Sequence, residues 1–236
     1  MTQVESPFIW TNARVLAVEA AISPHAAAAL LPDPLVVADP PRATFFIADY
    51  PQTRFDSVYR EAAVLLHARD EKGSALHCPW MVVDDDTSLI LGREVLGFPK
   101  KLASIELEQH GERVTGRVTR KGVEVLCIEA SLTEPERTHA PLFARRMVNA
   151  IGVPALGMKL IELAPTRELV HSAWRGEAKL TLTSSHRDPL GDLLAAPSVE
   201  ARWIELDFAE AGAVQPEILC DIDAGWVARR FLTRLM

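Results

Sequence analysis

The chain has 236 residues, 48% of them hydrophobic, and a formal net charge of −7. That length and apolar content suit a sizeable packed core and exclude a disordered chain, while the acidic balance, with no Lys/Arg run longer than two, argues against nucleic acid as a partner. No apolar run approaches the roughly 18 residues of a membrane span, no basic start followed by an apolar stretch marks a signal peptide, and Cys78, Cys127 and Cys220 are too widely spaced for a disulfide frame or metal site, so a cytoplasmic protein with buried thiols is expected.

Residues 1–12 carry no regular pattern, and Ala13–Ala21 alternates as a strand does. Ser23 is a plausible N-cap and Pro24 a good first residue for a helix over AAAALL, which Pro32 ends. RATFFIAD (Arg42–Asp49) and Ser57–Ala68 read as strands from their aromatic and aliphatic content, as does Ala75–Val83. Asp84, Asp85 and Asp86 read as a solvated turn, because no ligand spacing for a cation follows them.

Leu102–Gln109, Arg113–Thr119 and Val123–Leu132 alternate around His110-Gly111 and Lys121-Gly122, a meander of hairpins. Pro141–Met158 reads as loop, with a helical turn expected within Leu142–Ala150. Met158–Ala164, Glu168–Arg175, Glu177–Thr183 and Val199–Phe208 read as strands, and Asp188–Ala196 as a short helix or turn. The closing GWVARRFLTRLM, with Arg229, Arg230 and Arg234, is an amphipathic packing segment. Many short strands and few helices predict one domain over 1–236, a mainly β (α+β) antiparallel β-barrel with peripheral strands and short helices.

From Gly92 to Ala103 the chain reads GREVLGFPKKLA. A lysine pair is usually solvated and keeps a strand edge soluble. Here Lys100 and Lys101 stand between Phe98-Pro99 and Leu102-Ala103, and burial of an ammonium favours the neutral amine, a nucleophile that forms Schiff bases with ketones. His77, His139, His171 and His186 are scattered without ligand spacing, so no metal is expected. Neither a serine-nucleophile motif nor a glycine-rich phosphate loop is present.

GREVLGFPKKLA resembles the active-site signature of the acetoacetate decarboxylase family, G-R-E-x-x-x-[FY]-P-K-K-L. LLPDPLVV (Leu30–Val37), VYRE (Val58–Glu61) and HSAWRGEAKLTL (His171–Leu182) with the DPLGDL turn resemble further family segments in the same order. The resemblance spans about residues 8 to 208 and implies a barrel-like core, a homo-oligomer and cofactor-free imine chemistry on a small keto acid, while the charge and the lack of an apolar span leave neither nucleic acid nor membrane as an expected partner. It implies Lys100 as the nucleophile and Glu61 as the acid/base or lysine-positioning carboxylate. Arg14, or Ala13 if the register is one residue off, corresponds to a position near the substrate carboxylate. Phe45 and Phe98 are expected to supply apolar substrate contacts, and Lys101, Arg93 and Glu94 to support the motif, the last two as an ion pair.

A neighbouring cation is one route to a neutral lysine, and acetoacetate decarboxylase is itself an example of it. On a strand, however, Lys100 and Lys101 point to opposite faces, so desolvation is the expected main cause, with Lys101 structural or buried against a carboxylate. The chain departs from the family in RATFFIAD, where a second glutamate about fifteen residues before Glu61 gives way to Thr44, Phe45 and Phe46. This makes a more apolar 3-oxo acid than acetoacetate a fitting substrate. The expected function is a Schiff-base carboxy-lyase acting on acetoacetate or a related 3-oxo acid, with a lysine-imine aldolase or dehydratase using pyruvate and an aldehyde, and a non-catalytic small-acid binding protein, as the alternatives.

Overall fold

The computed structural model describes residues 8–138, 140–196, 198–210 and 215–235. The chain starts with β1 (Trp10–Ala21), which is followed by the short helix α1 (Pro24–Ala28). Ser23 caps α1 as its sequence predicts, its side chain accepting from the Ala26 amide. Then come β2 (Val36–Val37), β3 (Arg42–Tyr50), β4 (Gln52–Thr53), β5 (Tyr59–Asp70) and β6 (Gly73–Val83). Helix α2 (Asp86–Leu96) leads into β7 (Lys100–Leu102) and the hairpin strands β8 (Ser104–His110), β9 (Arg113–Arg120) and β10 (Val123–Pro135). The chain continues through β11 (Val148–Val153), β12 (Gly157–Glu162), β13 (Thr166–Leu182), β14 (Ser198–Glu210), β15 (Glu217–Asp221) and α3 (Ala224–Leu235). Among the described residues no helix is long and apolar enough to cross a membrane.

One large sheet runs β7-β6-β5-β3-β1-β14-β13-β10-β9-β8, with β2 on β5 and β4 on β1. It curls until β9 lies across from β3, where the missing side chain of Gly116 leaves room for Ile47. No ladder joins β8 to β7 among the described residues, so the expected barrel is a curled, open half-barrel. Its edges are protected in two ways: β7 is only three residues long, and β8 carries Glu106 and Glu108. The sheet is also not wholly antiparallel, since β7 joins β6 in parallel.

Strands at the centre of the sheet are buried on both faces, which is why RATFFIADY shows no polar alternation. Phe45 and Ile47 enter the larger core inside the curl, with Val64, Leu126 and Trp203. Phe46, Ala48 and Tyr50 enter a second core on the other face, with Tyr59, Leu65, Met81 and Leu206. The second face is covered by α2 and by the segment leading into the small sheet β11-β12-β15. Asn149 is fully buried at that junction, accepting from the Cys78 amide and donating to the Leu96 carbonyl.

Several expectations need correction. Asp85 is the N-cap of α2, accepting from the Ser88 amide at 2.6 Å, so the aspartate run opens a helix rather than serving only as a turn. Residues 148–153 form β11 where loop, and up to Ala150 a helical turn, is expected, because Val148, Asn149 and Ala150 are buried against β6 and α2. Glu168–Arg175 and Glu177–Thr183 are parts of one strand, β13, and β15 has no counterpart in the sequence reading. His139 and residues 1–7 lie outside the described residues.

Candidate active site

The lysine motif folds as helix end, cap and edge strand. Gly97 caps α2 at φ 67°, a conformation that favours glycine. Arg93 donates to the Lys100 carbonyl at 3.0 Å and so ties the last turn of α2 to β7. Gly92 faces the lysine, and a Cβ there would overlap Cδ and Cε of Lys100. The helix therefore presents its small residues, Ser88 and Gly92, inward, and the aliphatic stem of Lys100 passes beneath them.

The pleat of β7 separates the two lysines. Lys100 Nζ meets Glu61 Oε2 at 2.7 Å, with both side chains buried. Lys101 Nζ meets Asp188 Oδ1 at 2.6 Å on the other face. Arg120 Nε also binds Asp188, at 2.9 Å, and the Trp80 indole donates to it at 2.9 Å. Burial alone would raise the Asp188 carboxyl, yet the Lys101 hydrogen bond and charge, the Trp80 bond and the Arg120 charge together hold it below the usual carboxylate range. Lys101 is pulled down, chiefly by burial, since its carboxylate partner is shared with a second cation. Lys101 thus pairs with a different carboxylate from Lys100, on the opposite face of β7.

Lys100 and Glu61 line a cavity of about 80 Å³ whose other walls are apolar and aromatic. Phe46, Tyr50 and Tyr59 come from β3 and β5, Phe208 from β14 and Phe98 from the motif, while Phe143, Met147 and Leu163 close it from the segment around β11 and β12. Lys100 Nζ lies over the Tyr59 ring, 5.2 Å from its centroid. Tyr50 Oη donates to Glu61 Oε1 at 3.5 Å, and Trp10 Nε1 donates to Tyr59 Oη at 3.0 Å. Both phenols are pushed well above 10, first by burial and then by the Glu61 charge, so both remain protonated at neutral pH. Among the described residues lining the cavity, Lys100 is the one cation and Glu61 the one carboxylate.

Lys100, Glu61 and Phe98 are therefore brought together, and the other expected positions are not. Phe45 is fully buried in the core inside the curl, and its neighbour Phe46 lines the cavity; the period of two along β3 decides which. Arg14 pairs with Asp49, its side chain is half exposed, and it lies outside the cavity lining. Ala13 packs in the second core, also outside that lining. Arg93 and Glu94 form no ion pair among the described residues, since consecutive helical residues do not face each other. Glu94 is exposed.

The sequence reading missed Trp10, Tyr50, Phe143 and Phe208 as cavity residues and Asp188 as the partner of Lys101. Tyr50 shares the parity of Phe46 on β3, which a strand buried on both faces does not reveal, and the others arrive from distant segments. His77 binds the Val148 carbonyl, His171 lies 3.0 Å from Asp207, and His186 is exposed. Among the described residues no group of three or more His, Cys, Asp or Glu side chains is placed to hold a metal ion. None of the three cysteines is in a disulfide; Cys78 and Cys127 are buried and Cys220 is half-buried.

The chain is 26% identical over 221 residues to acetoacetate decarboxylase 2 of Mesorhizobium japonicum, covering 87% of this chain and 81% of that one. A solved acetoacetate decarboxylase from Legionella pneumophila superposes with a TM-score of 0.78 at 18% identity, covering 92% and 88% of the two chains. The enduracididine biosynthesis enzyme MppR, solved in complex with pyruvate, superposes with a TM-score of 0.77 at 19% identity, covering 93% of each. At these identities the two structural likenesses concern the fold alone. The acetoacetate decarboxylase family model matches residues 1–219, and with the lysine motif seated in its cavity this chain belongs to the acetoacetate decarboxylase family.

Proposed function

We propose that the protein is a cofactor-independent carboxy-lyase that decarboxylates a 3-oxo acid through a Schiff base on Lys100. The observation that carries this reading is the buried Lys100–Glu61 pair in a cavity whose remaining described lining holds no charge. Glu61, 2.7 Å from Nζ, is placed to take the ammonium proton and leave a neutral amine. Attack on the ketone and loss of water give a protonated imine. When the C–C bond to the carboxylate breaks, its electron pair flows into that imine, carbon dioxide leaves and an enamine remains. Protonation at carbon and hydrolysis release the ketone and restore Lys100.

The walls favour this outcome over the competing one. A substrate carboxylate entering here loses water and meets no arginine among the described lining residues, so its charge is relieved by departure as neutral carbon dioxide. An aldolase or dehydratase working on pyruvate must hold and keep that carboxylate. The fold likeness to an enzyme solved with pyruvate keeps this second reading in view. The aromatic lining supports a 3-oxo acid with an apolar chain as substrate. We further propose a homo-oligomer in the cytoplasm, the first part of which light scattering tests.

Borohydride reduction with a panel of keto acids, followed by intact mass, tests the chemistry. The expected result is an adduct on the wild-type chain that has lost carbon dioxide and is absent from Lys100→Ala. An adduct that retains the carboxylate would favour the aldolase reading, and no adduct with any acid would turn the assignment toward a binding protein.

A further inference from the structure

Tyr59 is held differently from the other phenol in the cavity. It is 4% exposed, and its oxygen accepts the Trp10 indole N–H at 3.0 Å. An indole nitrogen only donates, so this bond occupies an acceptor position of Tyr59 and leaves the phenolic proton to be given elsewhere. Among the described residues nothing accepts it. Tyr50, by contrast, directs its hydroxyl at Glu61. A buried donor left unmet is unfavourable, and a ligand oxygen relieves it.

The position of Lys100 indicates which oxygen. Nζ lies 5.2 Å from the centroid of the Tyr59 ring, so a carbon bonded to Nζ can turn its oxygen toward the phenol. We propose that Tyr59 is a catalytic hydrogen-bond donor to the ketone oxygen of the keto acid as Lys100 attacks it, with Trp10 as its positioning residue. This rests on the imine reading above. In the step, the N–C bond forms and the C=O π pair moves onto oxygen, where the Tyr59 O–H meets the growing negative charge. The tyrosine keeps its proton. The new oxygen takes one proton from the attached nitrogen to become a hydroxyl. A second, which Glu61 removed from the ammonium at the outset, lets it leave as water, so the protonated imine carries the single positive charge that Lys100 began with. Burial and the Glu61 charge keep the phenol protonated for this purpose, against the smaller opposing pull of the Trp10 bond.

The test is the rate of borohydride-trapped adduct formation in wild type, Tyr59→Phe and Trp10→Phe, beside the affinity for a ketone-free acid such as butanoate. Tyr59→Phe is expected to slow trapping and lower kcat/KM by about a hundredfold, with a far smaller change in butanoate affinity. Trp10→Phe keeps the hydroxyl but frees its orientation, and a loss of about tenfold is expected. A merely structural role would weaken butanoate binding in step with trapping, and that result would overturn the proposal. Equal trapping rates in wild type and Tyr59→Phe would overturn it and leave the imine reading standing. No adduct on the wild-type chain would overturn both. Should Tyr59→Phe fail to fold, Trp10→Phe decides by the same two readouts.

Discussion

Phe45 and Phe46 are consecutive on β3, and the pleat sends one to each core. Phe45→Ala is expected to cost about 3–5 kcal/mol of stability by urea denaturation while the folded protein keeps its kcat/KM. Phe46→Ala should cost a similar amount and also alter kcat/KM, because its ring lines the cavity and meets Phe143 edge-on at 5.5 Å. Equal kinetic effects would mean that the two faces are not functionally separate. His67 offers a pH test on a residue outside the cavity. It lies beside Thr44, Arg145, Arg42 and Glu19, and burial, then the Arg145 charge, pushes it down to about 4. Between an unfolded value near 6.5 and that folded value the unfolded chain binds the extra proton, so stability falls as the pH is lowered through this window. His67→Gln should flatten the fall in Tm between pH 6.5 and 4, and an unchanged slope would show that other groups govern it. At this scale the lysine and Glu61 were legible because they stand in a dense local motif or an ordered resemblance. The parity of Phe45 and Phe46 was not, since a strand buried on both faces loses the polar alternation that reveals which side is which.

Helix α2 shows what local pattern conceals at the scale of an element. Its buried positions are Ser88 and Gly92, with Leu89 and Leu96 partly buried beside them, while Ile90 and Val95 are more than half exposed. An apolar stripe facing the core is the usual sign of a helix, and here the core side is emptied at Ser88 and Gly92 to admit Lys100. The cap signals were present nonetheless, in Asp85 at the start and Gly97 at the end. Gly92 carries the clearest element-scale prediction. In an open helix Gly→Ala stabilises by about 1 kcal/mol. Here the added methyl overlaps the Lys100 stem, so Gly92→Ala is expected to preserve helix content by circular dichroism yet cut borohydride-trapped adduct at least tenfold. A variant that traps normally would mean that the stem has room to move. The hairpin strands β8, β9 and β10 were readable for the opposite reason, each turn and alternation lying within a few residues. β11 was not, because its burial depends on β6 and α2, far away in the chain.

Closure of the sheet is a property of the whole molecule, and no short stretch of sequence states whether β8 finds β7 or stops short of it. The same scale contains the Asp188 cluster, which joins four parts of the chain: β6 through Trp80, the lysine strand through Lys101, the meander through Arg120 and the 185–188 turn through Ser185. One buried carboxylate here serves two buried cations, and that asymmetry predicts the order of mutational damage. Removing Asp188 charge leaves Lys101 and Arg120 both buried without it, whereas removing Lys101 leaves Asp188 still bonded to Arg120 and Trp80. Breaking a buried pair by taking one partner costs about 3–5 kcal/mol, so Asp188→Asn should reach that range and Lys101→Met should fall well short of it in urea denaturation. The pH dependence follows the same carboxylate. Its folded pKa lies below the unfolded value, so its contribution is present above the unfolded pKa of about 4 and is lost as the pH falls through the folded one. Wild type should therefore lose stability below pH 4 more steeply than Asp188→Asn. If Lys101→Met proves the more damaging variant, the lysine rather than the carboxylate holds the turn to the strand, and the second lysine of the motif would owe its place to that turn.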